Sequence, residues 1–320
     1  MNKFATNARI SAAVGAGLWL AFLFIHTSDS SETELIEKIL LLGILVIVPL
    51  GLSLVPESKE SDSMLYRLSV SAQPVAAVAS AVSFLLDPGG PAAVLVSSWL
   101  LVSVVIGLFG LVRVINRGSV FSREVSIDAG MLYLPVGAAW LLASRLGIQP
   151  MGFGDTIVLL TAVHFHFAGF AAPLLAGMAG RGLVRSASLS RVFGLAVICI
   201  IGGTPLVAAG ITFSPTLALI GAAIISAGLI LLAVLVLGWV VRSVNSFIAQ
   251  TLLVVSSLSS VVAMILACLY AYSLVAKTVI VDIPQMALSH GVLNSFGFAL
   301  CGLLAWSLSL RQRIRESAGE

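Results

Sequence analysis

The segment "TLALIGAAIISAGLILLAVLVLGWVV", residues 216 to 241, contains no charged side chain. Segments of this kind recur from one end of the chain to the other. About 20 apolar residues in a helix cross roughly 30 Å of hydrocarbon at 1.5 Å per residue, and in that medium every backbone N–H and C=O must be bonded internally. Of the 320 residues, 59% are hydrophobic and 10% charged, and the mean hydropathy is +1.11. A soluble globular domain is excluded.

The pattern predicts an all-α, polytopic transmembrane bundle of ten spans, near 10–26, 35–55, 67–86, 92–115, 126–144, 156–178, 192–213, 216–241, 247–274 and 284–309. The third, with Gln73 and Pro74, and the short fifth, with Pro135, are the weakest by composition; without one of them the count is nine. All of 1–320 reads as a single transmembrane domain with no soluble domain. The N-terminal stretch is basic and then apolar, as in a signal peptide, but "FIHTSDSSETE" offers no small-residue cleavage site, so it is read as an anchored first helix.

Basic residues test the count independently, because Lys and Arg collect in cytoplasmic loops. With the N-terminus inside, 14 of the 17 fall on the cytoplasmic side: Lys3, Arg9, Lys59, Arg67, Arg113, Arg117, Arg123, Arg181, Arg185, Arg191, Arg242, Arg311, Arg313 and Arg315. Lys38, Arg145 and Lys277 fall outside, with Asp29, Glu32, Glu34, Asp87, Asp155 and Asp282. Both termini are therefore expected in the cytoplasm. The net charge of +3 reflects topology and forms no basic stripe, so a nucleic-acid partner is excluded. Cys199, Cys268 and Cys301 lie in apolar spans without paired spacing and are read as core.

Helix-end chemistry punctuates the loops: Asp155 as an N-cap before "TIVLL", and Pro284 after Asp282 and Ile283 at the start of the last span. Ten spans suit two inverted sets of five, as in many secondary transporters, though no internal similarity marks them. Gly169, Pro173 and Gly177, and Gly291 and Gly297, are read chiefly as tight-packing positions.

Charged side chains are nearly absent from the predicted span interiors, with Glu37 and Lys38 placed near the interface. The neutral polar set remains. Counting from the outer ends, His164 and His166 lie roughly 13 and 16 Å deep and His290 and Asn294 roughly 10 and 16 Å, so all four share a central layer. Tyr133, Trp140 and Gln73 are candidates to join it, while His26 belongs to the outer mouth. Residues two apart on an α-helix point about 200° apart, so "HFHF" is not a chelating pair unless the helix breaks near Gly169 or Pro173. His164 shares a face with Thr161, Ala168 and Ala171; His166 shares one with Ala162, Phe170, Pro173 and Gly177. His290, Asn294, Gly297 and Cys301 form one stripe on the last span, expected to meet the sixth.

Two convergent histidines fall short of the three ligands a metal needs, so the site-residue reading includes no metal. No motif implies a cofactor. Nucleophilic triads, phosphate loops and CxxC pairs are missing from the sequence. Unpaired polar groups are costly in hydrocarbon, and intramembrane ionisable residues are functional candidates by default.

The segments "GMLYLPVGAAWLLASRLGIQPMGFGDTIVLLTAVHFHFAGFAAPLLAG" and "IPQMALSHGVLNSFGF", with "VPLGL" at 48–52, resemble the YndJ-like family of bacterial integral membrane proteins. The resemblance implies a multi-pass protein of the bacterial inner (cytoplasmic) membrane, commonly labelled a transporter without a defined substrate. It places His164, His166, His290 and Asn294 at recognisable family positions. Some members carry a further soluble domain, which this chain is expected to lack.

Three functions compete. A permease would pass a small neutral or lipophilic molecule along a midplane site of His164, His166, His290, Asn294, Tyr133, Trp140 and Thr161. A membrane-embedded enzyme would use His164 or His166 with His290 as acid and base on a lipid or isoprenoid-like substrate. A structural protein would use the polar layer only to pack helices. The lipid bilayer is a partner in each.

Overall fold

A computed structural model of the chain describes residues 3–28, 30–56, 63–118, 123–183 and 187–318, with the side chains of 311 and 313–318 set aside. Asp29, Lys59 and Arg185, and the side chains of Arg311, Arg313 and Arg315, on which part of the charge asymmetry rests, lie outside the described residues.

The described residues are helical, with no strand among them. Ten helices follow in order: α1 Lys3–Phe22, α2 Ser31–Leu52, α3 Met64–Ser83, α4 Gly90–Arg117, α5 Val125–Leu146, α6 Asp155–Gly182, α7 Ala187–Phe213, α8 Pro215–Ser243, α9 Phe247–Ala276 and α10 Ile283–Leu310. Eight are long and apolar enough to cross a bilayer. The other two, α1 and α3, are 20 residues each but more polar, carrying Lys3 and Arg9 in one and Arg67, Gln73 and a set of serines in the other. The protein is a multi-pass membrane protein of eight to ten spans.

Helix starts follow capping chemistry. Ser30 accepts from Thr33 N ahead of α2, Ser214 and Ser246 cap α8 and α9, and Asp282 forms a capping box with Gln285 ahead of α10, placing Pro284 at its second residue. The residue capping α6 is Gly154, not Asp155, which is its first helical residue. Its carboxylate acts there through the helix dipole.

The chain divides into two compact units, Met1–Val120 with Asp128–Ala171, and Phe121–Ile127 with Ala172–Glu320. In the first, α1 lies so close to α2 that a Cβ on Gly15 would fall 1.9 Å from Leu45 O. The buried Gln73 amide ties three helices together, accepting from Ser11 Oγ at 2.7 Å and donating to Ile44 O at 3.1 Å. A proline follows it at position 74 inside α3, where it removes one backbone donor.

In the second unit, α7 and α8 form a close antiparallel hairpin. A Cβ on Gly210 would lie 2.1 Å from Ala218 N, and one on Gly203 2.8 Å from Ile225 N. Backbone atoms cannot rotate aside, so Gly210→Ala is expected to cost about 1–3 kcal/mol, measured by unfolding in micelles; an unchanged midpoint would mean that the hairpin is looser than described. At the start of α5 and the end of α6, Glu124 pairs with Arg181 through both oxygens, at 2.7 and 2.5 Å. Arg123 donates to the carbonyls of Gly180 and Leu183, and Gly177 sits against Ile127.

Candidate functional site

Helix α6 is not α-helical throughout. It runs as α over Asp155–His164, widens into π turns over Phe165–Ala171, and resumes as α at Ala172. Helix α2 does the same, with π turns over Gly43–Ile47 and α resuming at Val48. In each, a proline is the second residue of the resumed segment, Pro173 and Pro49. Proline lacks an N–H and crowds the carbonyl four residues back, and the i→i+5 bonding of a π turn offers such carbonyls another donor. The two widened segments meet: a Cβ on Gly43 would lie 3.3 Å from the Phe167 ring and 3.4 Å from His166 Cβ.

His166 lies in this widened stretch and is fully buried. Its Nδ1 is 2.8 Å from Ala162 O, and Trp99 Nε1–H donates to its Nε2 at 3.0 Å. A carbonyl only accepts and an indole N–H only donates, so the ring is held neutral with its proton on Nδ1. The two rings are nearly parallel, 16° apart. Gly137 of α5 makes room, since a Cβ there would stand 2.8 Å from His166 Nδ1. Both ring nitrogens are occupied, and acid–base work would first have to break one of these bonds.

His164 is half-buried on a strip with Thr161 and Ala168, also half-buried, whereas Ala171 of the same predicted face is buried. The Phe165 ring stands edge-on to His164 at 6.0 Å and to Tyr133 at 6.1 Å. Thr161 Oγ1 donates to Ile157 O. Trp140 packs on Phe153. All these residues belong to the first unit.

His290 and Asn294 belong to the second unit, and here the predicted neighbours do meet. Asn294 Nδ2–H donates to His290 Nε2 at 3.0 Å, and His290 Nδ1–H donates to Ala263 O of α9 at 2.8 Å. Both residues are half-buried within π turns over Ala287–Gly291 and Leu293–Leu300. Asn294 Oδ1 makes no hydrogen bond among the described residues. Of the expected stripe of His290, Asn294, Gly297 and Cys301, His290 and Gly297 pack on α9, where a Cβ on Gly297 would lie 2.2 Å from Ser259 Oγ. Where α10 meets the C-terminal half of α6 it does so further along, with Gly302 against Leu175 and Trp306 against Gly182.

Beyond Glu37 and Lys38, the helices bury further charges near their ends. Asp128, fully buried, takes Arg113 Nε at 2.7 Å and Arg117 NH2 at 2.5 Å, and Arg113 also donates to Val55 O. At the opposite end of α5, Arg145 is buried, donates to Ser83 O and Leu86 O, and lies over Phe84. Glu37 is buried as well. Arg113 meets Asp128 on the neighbouring helix end and Arg145 meets the end of α3, so both arginines, which the sequence places as cations at the two membrane faces, are buried. Trp99, the partner of His166, was also not foreseen: a tryptophan in an apolar run carries no signal of whom its N–H will meet. Among the described residues no three His, Cys, Asp or Glu converge as a metal would require.

A family model described as "YndJ-like protein" matches residues 38–298, which contain His164, His166, His290 and Asn294. The chain belongs to the YndJ-like family. It is 29% identical over 294 residues to the uncharacterized membrane protein YndJ of Bacillus subtilis (strain 168), a match covering 90% of this chain and 52% of that protein. The chain thus spans about half the length of that relative. No solved structure matches it.

Proposed function

We propose that this member of the family is a permease for a small neutral or lipophilic molecule, with Asn294, oriented by His290, as its principal polar contact in the second unit. The observation that carries the reading is the half-buried Asn294 amide, whose Oδ1 has no hydrogen-bond partner among the described residues while its N–H is held by a histidine that is itself anchored to Ala263 O. An open acceptor fixed on a rigid element suits recognition of a neutral donor. His164 and Thr161 are the corresponding half-buried polar positions of the first unit. Interrupted helices near mid-span, here α2, α6 and α10, are a recurring feature of transporter substrate sites. The histidine arrangement favours this reading over an enzyme, because each nitrogen of His166 and His290 already has a partner.

The test is light-scattering of proteoliposomes challenged with glycerol or urea, alongside uptake of a short-chain isoprenol. Losing one neutral hydrogen bond costs about 0.5–1.5 kcal/mol, so Asn294→Ala is expected to slow passage by up to about ten-fold with a normal unfolding midpoint. His164→Ala is expected to act in the same direction. Wild-type fluxes no greater than those of empty liposomes for all three probes would count against the permease. A product formed from lipid extracts and lost in His290→Ala would transfer the site to catalysis.

A further inference from the structure

Between α1, α2 and α3 of the first unit lies a groove of about 260 Å³, unrelated to the histidines. Its walls are Ile10, Val14, Leu18 and Val78, with Gln73 on its floor and Asn7 at one end. Ile10 and Val14 are more than half exposed although apolar, at 57% and 59%. In a membrane protein such a surface faces lipid rather than water. From Asn7 to Leu18 the groove follows α1 for roughly 16 Å at 1.5 Å per residue. That is close to half of the roughly 30 Å hydrocarbon core, the depth of one leaflet.

The end at Asn7 is basic. Lys3 and Arg67 are exposed there, Arg67 lying over the Phe4 ring at 5.1 Å, and neither has a carboxylate partner among the described residues. Cations at the membrane surface attract anionic headgroups, and a guanidinium suits a phosphate geometrically. An apolar trough one leaflet deep, with two exposed cations at its surface end, matches a single molecule with an acyl chain and an anionic head.

We infer that this groove is a binding site for one anionic phospholipid, its chain along α1 and α3 and its phosphate at Lys3 and Arg67. The site stands apart from the permease reading and survives or fails without it.

The probe is dioleoyl phosphatidylglycerol against dioleoyl phosphatidylcholine, each added to the delipidated full chain and counted by native mass spectrometry. The expected result is a preference for phosphatidylglycerol on the order of ten-fold. Lys3→Ala with Arg67→Ala should bring the two lipids to parity. Lys3→Glu, which keeps the Arg67–Phe4 contact, should weaken the preference without disturbing the fold. Val14→Trp, filling the trough, should abolish retention of both. Equal retention of the two lipids by the wild type, as for annular lipid, overturns the site, as does undiminished retention in Val14→Trp or undiminished preference in both charge variants.

Discussion

Replacing Asp128 with alanine is expected to cost about 3–5 kcal/mol of stability, the usual penalty for removing one partner of a buried ion pair. Asp128 is fully buried and receives Arg113 and Arg117 on separate oxygens. Arg117 is one-fifth exposed and can turn towards water, so most of the penalty falls on Arg113, whose side chain is 3% exposed. Asp128→Leu combined with Arg113→Met should recover much of the loss, since well-packed apolar replacements of buried pairs are often neutral or better. Unfolding of purified protein in mixed micelles measures both. A single variant as stable as wild type, or a double variant no better than the single, would show that Asp128 is not the anchor of this cluster.

The second large effect is expected at His166. Truncation to alanine leaves the Trp99 N–H buried without an acceptor, costing about 1–3 kcal/mol, and adds the cavity left by the ring. Trp99→Phe, which leaves an acceptor rather than a donor unmet, should cost less. The coupling in a double-mutant cycle should fall near 0.6 kcal/mol and below about 1.7 kcal/mol, as for other hydrogen bonds between membrane helices. Because both ring nitrogens serve the fold, the folded fraction of either variant should keep the wild-type flux in the assay that Asn294→Ala slows. A stable Trp99→Phe protein with lost flux would assign the pair a direct part in transport.

These two sites differ in how legible they were. Asp128 follows the loop between α4 and α5, and a span-by-span reading assigned Arg113 and Arg117 to the aqueous side. Their pairing requires the start of α5 to lie beside the end of α4, which a Cβ on Gly110, only 3.0 Å from Asp128 O, shows to be a close approach. The histidines, by contrast, stood out at once, because imidazoles are conspicuous in apolar runs. What remained hidden was which of them is enclosed. The angle between neighbours on an ideal helix places His164 and His166 on different faces, but the π turns, the room at Gly43 and Gly137, and the donor at Trp99 arise only when helices pack.

By itself the sequence determined that this chain crosses a membrane many times as helices, where most of those helices begin and end to within a few residues, though α1 starts well before its predicted position, and that His290 and Asn294 share a face. Each of these follows from local quantities: apolar length, capping residues, and spacing along one helix. The tertiary structure alone decided that His166 is saturated by Trp99 and Ala162 O, that Asn294 Oδ1 meets no donor among the described residues, and that charges are buried at the ends of α4 and α5. Those outcomes depend on which groups distant in sequence are brought within hydrogen-bonding distance. In hydrocarbon, where water offers no alternative partner, that proximity assigns a polar side chain either to packing or to a ligand.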